Sequence, residues 1–170
     1  MRRRQGFTLV ELLITIVIAA ILITVAVPSY YVFIQNNRIA DISNRLSASF
    51  NLARMEAIKR GARVSICPAS NASFNACGVA TQWAQGWIVF IDADENDAIE
   101  NNNERLLVSE ALATGSSIIS NRAVVSYDSA GFLSSGALTM KLSATGCTGN
   151  NARTLSISTS GRLSIAQAAC

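Results

Sequence analysis

Histidine is absent from this chain of 170 residues. Its absence removes imidazole-ligated zinc, Ser–His and Cys–His nucleophile pairs and imidazole general bases, and most familiar hydrolytic chemistry goes with them. Charge is scarce as well, at 15% of residues against 50% hydrophobic. That balance fits one compact domain of ordinary size plus an unusually apolar segment. The four cysteines lack any CxxC spacing, so they read as two disulfides of a domain outside the cytosol and not as metal ligands. What charge there is sums to +3, a first hint of affinity for anions such as nucleic acid or a membrane surface.

The apolar excess is concentrated at the start. From Phe7 to Val27 the chain reads FTLVELLITIVIAAILITVAV, with Glu11 its single charge. As a helix this run spans about 30 Å and can cross a bilayer. Arg2, Arg3 and Arg4 precede it and the next basic residue is Arg38, which places the N-terminus in the cytoplasm and exports the remainder. An ordinary secretory signal is the competing reading. Against it stand the length of the run and the carboxylate near its start, which in hydrocarbon costs ~2.5–3.5 kcal/mol and calls for a partner.

The residues Gly6-Phe7-Thr8-Leu9-Val10-Glu11 resemble the prepilin-peptidase motif of type IV pilins and pseudopilins. The resemblance implies removal of a leader, residues 1–6, by cleavage between Gly6 and Phe7, N-methylation of Phe7, and retention of the apolar helix. It also implies that Glu11 neutralises the N-terminal amine of a neighbouring subunit, a pairing that offsets a desolvation cost neither charge could bear alone. Pro28 falls inside the helix, where it removes one hydrogen bond and permits a bend.

Beyond this transmembrane and filament-core segment, 7–29, the periodicity predicts an amphipathic second half over 30–60. Ile39, Ile42, Leu46, Phe50, Ala53 and Ala57 recur at spacings of three and four and would pack on a domain. Gly61 is the expected C-terminal stop. Over 61–170 the period becomes two, with strands expected at Arg63–Cys67, Gly86–Ile91 (continuous and therefore central), Leu106–Ser109, Ala123–Tyr127, Ala137–Leu142 and Thr154–Ser158. The fold class is α+β: a long helix followed by an antiparallel, periplasmic β-sheet domain. Gly86-Trp87-Ile88-Val89-Phe90, then Asp92, Asp94 and Asn96, then Glu104-Arg105-Leu106-Leu107, resembles the GspH/FimT branch of the pilin family. That branch holds the minor pseudopilin of type II secretion and minor pilins of type IV pili.

Several residue groups have two readings. Asp92-x-Asp94-x-Asn96 opens like an EF-hand loop, but Asp97 stands where Gly is needed and Asn103 where Glu is needed, so a solvated hairpin loop is the better description. Cys67 with Cys77 and Cys147 with Cys170 is the simplest of three pairings, each bridge contributing ~3 kcal/mol on the chain-entropy model. Trp87 reads as core, whereas Trp83 is either core or an exposed stacking platform.

Loss of Arg2, Arg3 and Arg4 with the leader brings the +3 to zero. The charge left behind is uneven, with an acidic stretch from Asp92 to Glu110 and a basic final third carrying Arg122, Lys141, Arg153 and Arg162 against Asp128 alone. Gly161-Arg162 resembles the Gly-Arg-x-Arg tail of FimT-like minor pilins that bind DNA, with Ser164 in place of the second arginine. The DNA-contact candidates are therefore Arg162, Gly161, Arg153, Lys141 and Arg122, reading phosphates without base specificity; Arg162 as an ordinary exposed residue in a turn before the last strand is the alternative. No enzyme, cofactor or metal is expected. The expected partners are other pilins through the N-terminal helix, the inner-membrane assembly platform, the prepilin peptidase, the membrane before assembly, and double-stranded DNA. The expected role is that of a minor pilin in a type IV pilus, with a type II secretion pseudopilin as the alternative.

Overall fold

The computed structural model describes residues 8–170, so the leader and the Gly6–Phe7 junction lie outside the described residues. Helix α1 (Leu9–Arg60) is followed by eight strands and two short 3-10 turns. The chain divides between Ile34 and Gln35 into two units, a boundary that falls inside α1.

In the first unit, α1 begins where Thr8 caps it: Glu11 N–H donates to Thr8 Oγ1 at 3.2 Å. The apolar side chains from Leu9 to Ile34 whose burial is described are exposed, and the segment is long and apolar enough to cross a membrane, with a mean hydropathy of 2.8. Its two threonine side chains are satisfied internally. Thr15 and Thr24 hydroxyls donate to Leu12 O at 2.8 Å and Ile21 O at 2.7 Å, the arrangement that hydrocarbon demands of hydroxyls. The backbone is helical through Pro28.

In the second unit, all six residues of the expected apolar stripe, Ile39, Ile42, Leu46, Phe50, Ala53 and Ala57, are buried. The helix ends at Arg60, and Gly61 adopts φ +63°, the left-handed conformation that a helix stop favours. The strands form two antiparallel four-stranded sheets. The first, in the order β3-β2-β1-β5, contains β1 (Val64–Pro68), β2 (Trp87–Ile91), β3 (Arg105–Ser109) and β5 (Val125–Tyr127). The second, β4-β6-β7-β8, contains β4 (Ser116–Ser120), β6 (Leu138–Ala144), β7 (Ala152–Ile157) and β8 (Leu163–Ala168).

One core joins the helix stripe to Val64, Ile66, Trp87 and Val89 of the first sheet and to Leu138, Met140, Leu142, Leu155 and Ile157 of the second. A smaller core lies on the opposite face of the first sheet, where Cys67, Ile88 and Phe90 are covered by Phe74, Cys77, Ile99 and Val124. Burial on both faces is why β2 is apolar at every position instead of alternating. Strand β4 escapes sequence reasoning because Ser-Ser-Ile-Ile-Ser does not alternate; only Ile118 is buried, while Ile119 is 64% exposed.

Trp83 is also core. It lies in the 3-10 turn Trp83–Gln85, fully buried, with its indole N–H donating to Arg122 O at 3.0 Å and its ring 6.2 Å from that of Phe50. The stacking-platform reading therefore falls, since a buried indole offers no face to a base.

Candidate functional site

The first group of candidate residues stands at the start of α1. Gly6 and Phe7 lie outside the described residues. Glu11 occupies the third position of the helix, and with Thr8 it forms the Thr-x-x-Glu pattern of a capping box. Its carboxylate stands in the first turn, where the helix dipole favours a negative charge. This local role was legible in the residue spacing and accompanies any intersubunit one.

The second group comprises the basic residues of the last third. Register places them apart. Lys141 pairs with Thr154 and Ile119, whereas Arg153 pairs with Leu142 and Gln167. Because paired residues share a face, Arg153 is on the core side of the sheet and Lys141 on the outer side. Lys141 Nζ donates to the carbonyl of Cys170 at 3.0 Å, and Arg122 Nε donates to Ala137 O at 3.2 Å. Arg162 is exposed in the β7–β8 turn, on the outer side with Thr139, Ser156 and Ser164 along a shallow groove. Its guanidinium makes no hydrogen bond or ion pair among the described residues.

Gly161 beside it is buried and structural. It takes φ +77°, and a Cβ there would stand 2.4 Å from Gly131 O. Its carbonyl accepts from Arg54 Nη1 at 3.1 Å, and the preceding carbonyl, of Ser160, accepts from Nη2 at 3.2 Å. The glycine thus seats the hairpin tip on α1, and the arginine following it is carried on the exposed side.

The third group is the acidic loop. Asp92, which is buried, has both carboxylate oxygens engaged: Oδ2 lies 2.7 Å from Ser65 Oγ and 3.1 Å from Arg63 Nε, and Oδ1 accepts from the N–H groups of Asn96 at 3.1 Å and Asp97 at 3.3 Å. The same guanidinium bonds Asp97 and Ser126 and stands 3.8 Å from Glu95. Asp94 and Glu100 turn to the Asn96 amide. The carboxylates are spent on the loop's own amides and on Arg63 and do not converge on one point. The arrangement is that of a braced hairpin loop.

Disulfides join Cys67 to Cys77 and Cys147 to Cys170. The Cys147–Cys170 bridge lies near the end of the domain where residue 35 begins it, since Gln35 Nε2 donates to Thr145 O at 2.9 Å; Arg38 donates to Thr114 O at 3.0 Å. A cleft of about 590 Å³ opens there between Phe74 and the segment Glu110–Ser116. Sequence reasoning missed the polar side of α1. Arg38, Arg45 and Arg54 each reach a loop of the β domain: Arg45 donates to Ser109 Oγ at 2.7 Å and Glu110 O at 3.2 Å and lies 5.3 Å from the Trp87 ring centroid. Their recurrence on the polar side of the amphipathic half of the helix was the available signal.

Comparison with known proteins finds two family models. The one described as type II transport protein GspH matches residues 43–161, and the prokaryotic N-terminal methylation motif matches residues 1–27. Two crystal forms of the type IV minor pilin FimU of Pseudomonas aeruginosa are similar in fold. The P21 form has a TM-score of 0.61 at 20% identity, covering 76% of this chain and 89% of that one. For the P65 form the TM-score is 0.57 at 19% identity, covering 75% and 91%. No curated protein sequence matches the chain.

Proposed function

Starting from the fact that the chain belongs to the GspH family and carries the N-terminal methylation motif, we propose that it is a minor pilin built into a type IV pilus. The family is one of structural pilins and pseudopilins, which act by assembling with other pilins. The observation that carries the proposal is one continuous α1 with two chemistries. Over 9–34 the helix is predominantly apolar and its described apolar side chains are exposed, and from Ile39 onward the apolar stripe is buried in the β domain. A helix bare over one half and sheathed over the other is built to bundle with its own kind once it leaves the membrane.

In this reading the N-terminus is cytoplasmic and the domain periplasmic before assembly. The peptidase cuts between Gly6 and Phe7, Phe7 is methylated, and Glu11 pairs with a neighbouring subunit's amine. The choice of pilus over secretion pseudopilus is supported by the likeness to FimU, while the matching family model bears the name of a type II transport protein. Deletion of the chain separates the two: loss of surface filaments with exoprotein secretion intact is expected, and the reverse would overturn the assignment to a pilus.

A second reading, contact with double-stranded DNA, is favoured by one observation, the exposed and unengaged Arg162 on a hairpin tip held out by Gly161. Arg153 lies on the opposite face of the sheet, and Lys141 and Arg122 are each engaged by a carbonyl. The full chain in detergent is expected to give at most a weak, salt-sensitive gel shift that Arg162→Ala removes; a shift unchanged by that substitution would end the reading.

A further inference from the structure

Two sheets have four edges, and three of these carry a device against stray pairing. Strand β3 meets β2 through a register shift between Val89 and Phe90, and its Arg105 holds the carbonyls of Ser73 and Phe74. Strand β5 is only three residues long. Strand β4 packs against the 3-10 turn Trp83–Gln85. Bulges, charges, short strands and covering segments are the usual guards of an edge.

Strand β8 has none of them. Leu-Ser-Ile-Ala-Gln-Ala carries no charge, proline or glycine, pairs with β7 in six unbroken steps, and is exposed from Ser164 to Gln167. The direction of its backbone groups follows from one bond. Ser158 N–H donates to Arg162 O at 3.0 Å, so in this antiparallel ladder Arg162, Ser164, Ala166 and Ala168 bond to β7. The N–H and C=O groups of Leu163, Ile165 and Gln167 therefore point away from the sheet, and among the described residues nothing bonds them. Three donors and three acceptors alternate along an open edge.

We propose that β8 is a docking edge that takes up an extended strand from a neighbouring subunit of a different kind, continuing the sheet antiparallel. The complementary strand is five or six residues long and uncharged at its centre. Ser164 and Ala166 leave room on the outer side for β-branched residues, and Ile165, 40% exposed, offers an apolar neighbour on the inner side. Antiparallel pairing of two copies of β8 would turn their 35–60 helices in opposite directions. Chains whose helices leave one membrane in the same sense cannot do that, so the occupant is another subunit. The inference rests on the reading of the chain as a filament subunit.

The test is hydrogen–deuterium exchange of the full-length chain, solubilised in detergent and again in filaments sheared from cells. The amides of Leu163, Ile165 and Gln167 are expected to slow at least a hundredfold in filaments, while those of Ser164 and Ala166 are protected in both states. Equal exchange in both states overturns the proposal, and protection that rises with concentration of the purified chain in detergent assigns the edge to a second copy and overturns it as well. Gln167→Pro removes one outward N–H and no bond to β7. It is expected to keep the unfolding temperature and lower incorporation into filaments at least tenfold. Gln167→Lys, which charges the edge, is expected to do the same. If wild-type chain is missing from sheared filaments, the filament reading falls and takes this one with it. If both variants enter filaments as well as wild type does, only the docking edge falls.

Discussion

Gly161 and Arg162 are neighbours with opposite duties, and substitution separates them. A Cβ at position 161 would meet both Gly131 O and the Arg54 guanidinium while φ stays at +77°, so Gly161→Ala is expected to destabilise the domain by about 2 kcal/mol or more in denaturant unfolding. Arg162→Ala, which removes an exposed side chain, should fall within about 0.5 kcal/mol. Tyr127 sets a pH limit. Burial pushes its phenol up from 10.0 to about 12, against a smaller opposing pull from Arg54. The folded state therefore holds this proton more tightly than the unfolded state does. Its contribution is whole below pH 10 and is lost as pH rises towards 12, by up to about 3 kcal/mol. Unfolding followed across that window should show the loss in wild type and a flatter profile in Tyr127→Phe.

At the level of elements, α1 from Gln35 onward is the organiser of the β domain. Phe50 is fully buried against Trp83, and Phe50→Ala is expected to cost about 3–5 kcal/mol by thermal or denaturant unfolding, with the exposed segment 9–34 still helical by circular dichroism. The helix and its buried stripe were legible because spacings of three and four persist for five turns. Most strands were legible too, with boundaries displaced by one or two residues. Strand β4 was not, because tertiary pairing with β6 and not alternation holds Ser116–Ser120 in place. The division of the strands into two sheets was beyond periodicity, which reports the face of a strand and is silent on its neighbours. For the same reason the basic residues of the last third looked like one surface: net charge ignores the pleat, and Lys141 and Arg153 point to opposite sides.

For the whole molecule, the N-terminal motif was the most informative stretch of sequence, since a short run that matches the methylation motif implies cleavage, modification and anchoring together. Mass spectrometry of the chain extracted from membranes should find methylated Phe7 as the N-terminus; a start near Ser29 would mean an ordinary signal peptide and a different fate for the helix. The polar side chains of α1 bear on what happens after assembly. Gln35, Arg38, Arg45 and Arg54 span about 29 Å of helix at 1.5 Å per residue, and each grips a different part of the β domain: Thr145, Thr114, Ser109 with Glu110, and Ser160 with Gly161. A pull along the axis of this helix loads those grips side by side, in shear, instead of opening them one after another. Of the gripped segments, Thr145 adjoins the Cys147–Cys170 bridge and Ser160–Gly161 lies within the loop that it closes, and that loop cannot pay out chain, so tension meets resistance at both ends of the contact at once.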